Sequence, residues 1–268
     1  MRILFSRSGG GLPGLDIHCG IWQALTDSNI HSTDCIGTSA GAIISALDAM
    51  GYPAERIISI MRNLGDGDVI SKRFMWKLRL FFMKSFADPA GARRILEWLT
   101  KDANNDLRKT LTVIANKVQG AIRTDFGFSV GHQSSSLVQP IDAVMASMSI
   151  CGVFPWTTIG GIDYSDGGTA ANLPLPMDWR EYDQVYLLIA TRPTAFINRD
   201  SNAFSRLLLN LDFYAMDQIA DALRETAGAP NVHVIWPDVD ASTSSLHFNH
   251  DLIRNAYNCT LDILKKKP

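Results

Sequence analysis

An α/β fold, with a central and mostly parallel sheet flanked by helices in three α/β/α layers, is predicted by three features of this sequence. A strand, Gly-rich turn and helix pattern occurs twice before residue 51. Two more buried-strand runs, "QVYLLIATR" and "NVHVIWP", bracket a long amphipathic helix. Hydrophobic residues make up 46% of the 268 positions and charged residues 19%. Alternating strands and helices favour a parallel sheet covered on both faces. The composition supplies a sizeable core and argues against disorder. At this length one α/β domain over 1–268 is expected.

The elements follow in order. "RILFS" is a short apolar run that ends in glycines, and "LDIHCGIWQALTDSNI" places Leu15, Cys19, Trp22 and Leu25 at helical spacing. "HSTDCIG" reads as a second strand and "AGAIISALDAMG" as a second helix, whose small residues allow close packing. Residues 53–109 read as helical, broken at "NLGDGD" and "ADPAGA", and form a cap-like region. "TLTVIANKVQ" and "AIRTDFGFS", separated by Gly120, predict a hairpin. "PIDAVMASMSI" is a helix opened by proline. The stretch "GGIDYSDGGTAANLPLP" reads as turns. Arg206 to Arg224 then forms an amphipathic helix between the last two strands, with Leu207, Leu208, Leu211, Met216 and Ile219 as core or pocket wall, and "HDLIRNAYNCTLDILKKK" a final one.

Charge and cysteine usage exclude several classes. With 25 basic and 27 acidic residues the net charge is −2, which carries no overall signature of nucleic-acid binding. Cys19, Cys35, Cys151 and Cys259 form no C-x-x-C pair, so they read as reduced thiols of a cytoplasmic protein. No H-E-x-x-H or Cys/His cluster suggests a metal. The opening "MRILFSRSGGG" is too short in apolar residues for a signal peptide, and no run is long enough to span a bilayer as a helix.

Three short elements carry chemistry: "GGGLPG" (Gly9 to Gly14), "GTSAG" (Gly37 to Gly41) and "DGG" (Asp166 to Gly168). The first formally matches a dinucleotide fingerprint, with Asp34 twenty residues after Gly14. That fold wants its acidic residue at the tip of the second strand, whereas here the chain runs from Asp34 through Cys35 and Ile36 into the serine turn. No cofactor is therefore expected. G-x-S-x-G marks a sharp strand-to-helix turn that exposes a serine hydroxyl, here Ser39. Acyl transfer from an ester passes through an oxyanion that needs several N–H groups aimed at one point. Consecutive glycines let the backbone approach a substrate closely, so Gly9, Gly10 and Gly11 can supply donors beside Ser39. Ala40, at a helix N-terminus, adds another.

With these three elements in this order, and with "ASMSICGVFPWTTIGGIDYSDGGTAANLP" leading into the aspartate and including Ala146, Ser147, Phe154, Pro155 and Asn172, the sequence resembles the patatin-like phospholipases. The likeness runs from Arg2 to Pro176, with an echo in the last helix. It implies Ser39 as nucleophile, Asp166 as general base, and Gly9, Gly10 and Gly11 as oxyanion donors, framed by Gly14, Gly37, Gly41, Gly167 and Gly168. It also implies a lipid ester substrate, phospholipid or lysophospholipid, cleaved through an acyl-serine with neither metal nor cofactor. Pro13 stands where the family usually has Arg or Lys, which puts in doubt any role of that cation in orienting the loop or meeting a substrate's phosphate and leaves the backbone donors intact, while Ser149 and Cys151 stand where alanine and proline are common, replacements expected to affect packing only.

An aspartate can replace the usual histidine base because burial raises its pKa from about 3.9 and the proton moves only as the carbonyl is attacked. Replacing any of the six histidines singly is then expected to leave most activity. The rival Ser, Asp, His triad, with His233, His247 or His250, belongs to a fold in which several strands precede the nucleophile, whereas only two fit here. Asp163 reads as a solvated turn carboxylate. Alternatives to hydrolysis are transfer of the same acyl group to an acceptor alcohol, or a partner-gated effector or binding module. Residues 71–86, "SKRFMWKLRLFFMKSF", carry five basic and no acidic residues and gather aromatics on one helical side. That helix either packs its aromatic face on the core or lies peripherally on a membrane.

Overall fold

The computed structural model describes residues 1–63, 71–72, 87–88, 90–101, 106–130, 138–191, 203–239 and 249–266. Its strands are β1 (Ile3–Arg7), β2 (Asp34–Thr38), β3 (Ser71–Lys72), β4 (Ala87–Asp88), β5 (Thr110–Lys117), β6 (Ile122–Phe128), β7 (Thr157–Ile159), β8 (Ile162–Asp166), β9 (Gln184–Leu188) and β10 (Val232–Ile235). The helices are α1 (Gly11–Asp27), α2 (Ala40–Ala49), α3 (Ala54–Asn63), α4 (Ala90–Lys101), α5 (Pro140–Ser147), α6 (Ala203–Glu225) and α7 (His250–Lys265).

The main sheet runs β10-β9-β1-β2-β5-β8-β7, with β6 also paired to β5. From β10 to β5 every pairing is parallel, while β6, β7 and β8 pair antiparallel. Successive residues of a strand point to opposite faces, and here each face meets its own layer. Ile3, Phe5, Tyr186 and Leu188 pack with α1 and α7, and Cys35, Leu111 and Val113 with α1, α2, α3 and α5. Leu4, Ile36, Ile114, Val185 and Leu187 pack on the other face with Ile219 and Ala222 of α6. The α/β/α layering is thus written in the alternation of the central strands.

Two regions differ from the sequence expectation. Residues 160–166, read as turns, instead form with Thr157–Ile159 the β7–β8 hairpin. Its loop is Gly160 and Gly161, both at positive φ (58° and 79°), as a tight two-residue hairpin demands. Asp163 accordingly lies on β8, where its carboxylate accepts the Thr158 hydroxyl at 2.6 Å. Within the cap-like region, α3 and α4 are helical, but Ser71–Lys72 pairs antiparallel with Ala87–Asp88. Asp88 precedes Pro89, whose ring disfavours helical backbone in the residue before it. The first two residues of the proposed 71–86 helix are therefore strand, paired with 87–88 just beyond it, and 73–86 lies outside the described residues.

Helix α1 packs along α7 through a buried carboxylate. Asp16 has no solvent exposure, accepts the Asn249 N–H at 2.8 Å, and leaves Oδ1 without a partner. Burial pushes its pKa up to about 7, against the smaller opposing effect of the Asn249 bond. The folded state thus keeps a proton that the unfolded chain loses near pH 4, so this group subtracts stability as pH rises from 4 to 7. We expect Asp16→Asn to remove a slope of roughly 1 kcal/mol per pH unit over that range, read from urea unfolding at several pH values. Parallel stability curves for both proteins would contradict it.

Candidate active site

The site is built by an abutment of strands on one edge of β5. β6 pairs along β5 from Leu111 to Lys117, and the opposite edge is shared. β2 takes Thr110 to Ile114 in parallel, and β8 takes Ala115 to Lys117 antiparallel. β2 and β8 therefore point their C-terminal ends at each other, with Thr38 opposite Ile114 and Asp166 opposite the next residue, Ala115. Ser39 follows Thr38, so residues 127 positions apart in the chain meet where two strands end. The turn beyond β8 must pass close to β5. A Cβ on Gly167 would lie 2.1 Å from Ile114 O and 3.2 Å from Thr38 Cγ2, and glycine is the residue that fits.

Ser39 adopts φ 52° and ψ −119°, rare for a non-glycine residue. Such backbone costs on the order of 1–3 kcal/mol and persists only where its surroundings hold it. Here the Ser39 N–H donates to Ser147 Oγ at 2.8 Å. Gly37 and Gly41 also close on each other, a Cβ on the former coming within 2.4 Å of Gly41 O. Gly41 in turn lies against Arg7 O and Ser8 O, bringing α2 onto the end of β1.

Asp166 is 7% exposed. Oδ1 accepts the Gly168 N–H at 2.7 Å, and the Asp166 N–H donates to Ser149 O at 2.9 Å. Burial pushes the carboxyl up to about 6, with the Ser39 hydroxyl and Gly168 N–H opposing in part. Oδ2 is buried without a hydrogen-bond partner. The Ser39 hydroxyl is near enough to favour the charged form yet completes no bond of standard geometry with it.

The glycine loop lies beside them. The Gly9 N–H is not free: it donates to Asn172 O at 3.0 Å. Gly10, at φ 148°, lies against Ala190, and α1 begins at Gly11. Among the described residues no hydrogen bond is made by the N–H of Gly10, Gly11 or Ala40. The latter two open α1 and α2, whose N-terminal N–H groups have no partner within a helix. Gly14 N–H closes on Gly10 O at 2.9 Å, and Pro13 is buried in the first turn of α1.

A pocket gathers Gly9, Gly10, Gly11, Ser39, Asp166 and Gly168. Ile150, Leu211 and Ala215 add apolar wall, and Asn172, Thr191, Asp212 and Tyr214 polar groups. Ile219 of the same α6 is instead buried against the sheet and Met216 partly so, while the side chains of Leu207 and Leu208 lie outside the described residues. Cys151 lines the pocket, so its place goes beyond the packing expected of it. Ser149 packs as expected, its hydroxyl on Met145 O at 2.8 Å, but its carbonyl also holds Asp166. Ser147 and Thr191 have structural parts there that sequence reasoning left unassigned.

No histidine among the described residues lines this pocket. His18 is buried on α1, where burial pushes its pKa down to about 3 and its neutral ring donates from Nε2 to Ser8 O at 2.8 Å. His233 sits on the edge strand β10 and bonds Gln184, and His250 is exposed at the start of α7, while His132 and His247 lie outside the described residues. Among the described residues, no three His, Cys, Asp or Glu are grouped to hold a metal ion, and no helix is long and apolar enough to cross a membrane.

Comparison with known proteins adds to this geometry. A search of curated proteins found no match. Over 98% of its length the chain is similar in fold to the crystal structure of VipD from Legionella pneumophila, with a TM-score of 0.52 and 14% identity, and it covers 66% of that chain. A family profile described as patatin-like phospholipase matches residues 6–179, a span that holds the glycine loop, Ser39 and Asp166. The chain belongs to the patatin-like phospholipase family.

Proposed function

We propose that the protein is a lipid acyl hydrolase that cleaves a carboxylic ester of a phospholipid or lysophospholipid through an acyl-Ser39 intermediate. The observation that carries this reading is the end-to-end meeting of β2 and β8, which sets Ser39 beside a buried carboxyl of raised basicity. Ser39 Oγ attacks the ester carbonyl while Asp166 takes its proton. The oxyanion is met by the N–H groups of Gly10, Gly11 and Ala40, where two helix N-termini add their dipoles. Gly9, whose N–H is already bonded, shapes the loop rather than donating. Asp166 returns the proton to the leaving alcohol, then activates water to release the fatty acid. The wall of Leu211, Ala215 and Ile150 suits an acyl chain.

The test is mass-spectrometric fatty-acid release from a panel of phospholipids, lysophospholipids and neutral esters, with EDTA present. Release by wild type that vanishes in Ser39→Ala supports the reading and identifies the lipid class. No release by folded wild type points instead to a partner-gated effector.

The acid limb follows from the base. Asp166 accepts a proton only as carboxylate, so kcat/KM is expected to be half-maximal near pH 6 and to fall tenfold per unit below it. A rate constant that stays level down to pH 4 would rule out this base.

A further inference from the structure

The loop around the glycines leaves one donor unexplained. Asn172 is 6% exposed and lines the pocket. Its N–H donates to Gln218 Oε1, and its carbonyl accepts the Gly9 N–H. The Thr191 hydroxyl sits 2.8 Å from Gly9 O and 3.0 Å from Asn172 Oδ1. Gly9 O also receives the Ser8 hydroxyl at 2.9 Å, and the single Thr191 proton is shared between Gly9 O and Oδ1. The Thr191 contact sets Oδ1 on that side of the amide and leaves Nδ2 without a hydrogen-bond partner among the described residues.

The position of Nδ2 is marked by the glycines around it. A Cβ on Gly9 would lie 2.9 Å from Nδ2 and 3.6 Å from Ser39 Cβ. A Cβ on Gly168 would lie 3.2 Å from Nδ2 and 2.8 Å from Asp166 Oδ1. The amide therefore stands between the glycine loop and the base, beside Ser39, and both flanking positions are residues without side chains. Gly9 is also the loop residue whose own N–H is taken, by the carbonyl of this same asparagine.

We propose that Asn172 is a further catalytic residue, its Nδ2 donating a hydrogen bond to the oxyanion of the ester under attack, in the place the Gly9 N–H has vacated. The proposal rests on the acyl-hydrolase reading above. A donor fixed by its neighbours before substrate arrives is the arrangement that stabilises charge developing in a transition state. Thr191, which fixes the amide, is then a positioning residue.

The experiment is steady-state hydrolysis of a soluble aryl ester by Asn172→Ala, Asn172→Asp and Thr191→Val, with Ser39→Ala as baseline and thermal unfolding of each. Asn172→Asp keeps the acceptor for Thr191 and the shape of the side chain, so it separates loss of the donor from loss of the fold. The expected result is a fall in kcat of about 10²-fold for both Asn172 variants, with KM nearly unchanged. The acid limb of Asn172→Ala stays where wild type has it, and Thr191→Val loses less. A kcat within about threefold of wild type in Asn172→Ala, or a loss confined to KM, overturns the proposal. So does a displaced acid limb in that variant, which would assign the amide to holding Asp166. Activity that survives in Ser39→Ala brings down the acyl-serine reading itself, whereas Ser39-dependent activity untouched by Asn172→Ala overturns only the role of Asn172.

Discussion

Ser39→Ala and Asp166→Asn are each expected to reduce ester hydrolysis by at least about 10³-fold, and the double variant to be no slower than either one. The non-additivity follows from the proposed chemistry: the hydroxyl is inert without its base, and the base has nothing to deprotonate without the hydroxyl. Asp166→Asn is the more informative change because it preserves shape and leaves Oδ1 to accept the Gly168 N–H. Burial works against the charged carboxylate, whose pKa stands at about 6. The folded state thus binds a proton more tightly than the unfolded chain, and this group subtracts stability as pH rises from 4 to 6. At pH 8 the asparagine variant should accordingly unfold at a temperature no lower than wild type while lacking activity. An Asp166→Asn protein with a tenth of wild-type activity would remove Asp166 from the mechanism. Single changes at His31, His233 or His250 should leave most of it.

Asp48→Asn is expected to be the most destabilising single change in the described structure, by about 3–5 kcal/mol. Arg7, the last residue of β1, has no solvent exposure and lies 2.7 Å from Asp48 Oδ2, while Lys109 Nζ reaches Oδ1 at 2.5 Å. Burial alone would raise the Asp48 pKa, but Arg7 and Lys109 override it and hold the carboxyl below the usual range. Its contribution to stability is thus present at neutral pH and lost only in strong acid. Without it, a guanidinium sealed in the interior has no counter-charge, and β1 and α2, which deliver the glycine loop and the serine turn, lose the tie between them. Urea unfolding should show the midpoint falling at constant slope. A double change, Arg7→Met with Asp48→Leu, removes both charges and should recover most of the loss. A drop below about 1 kcal/mol in the single variant would mean that water reaches Arg7.

Much of this was legible in the sequence because it rests on local patterns. The central strands announce themselves by apolar runs, and α1, α2, α5, α6 and α7 by spacing and by Pro140. The serine turn is legible because a sharp strand-to-helix elbow needs small residues at Gly37 and Gly41. The β7–β8 hairpin was missed although Gly160-Gly161 between "TTI" and "IDYS" is a two-residue hairpin signal. The fate of the Gly9 N–H could not be read at all. It depends on Asn172, 163 residues away, and spacing along a chain says nothing about which of three adjacent glycines a distant carbonyl will engage.

The shared edge of β5 also sets the order in which a working site can come into being. A chain emerging from synthesis has made Ser39 early, but the turn is held by Ser147, and β1, which carries the glycine loop, is bordered by β9 as well as β2. The carboxyl arrives only when β8 occupies the segment of β5 that β2 leaves empty. Nascent or partly unfolded chains therefore hold Ser39 without Asp166 beside it. For a chain proposed to cut the material of membranes, that proposed activity depends on two long-range pairings, β8 on β5 and β9 on β1, and is withdrawn as soon as they part.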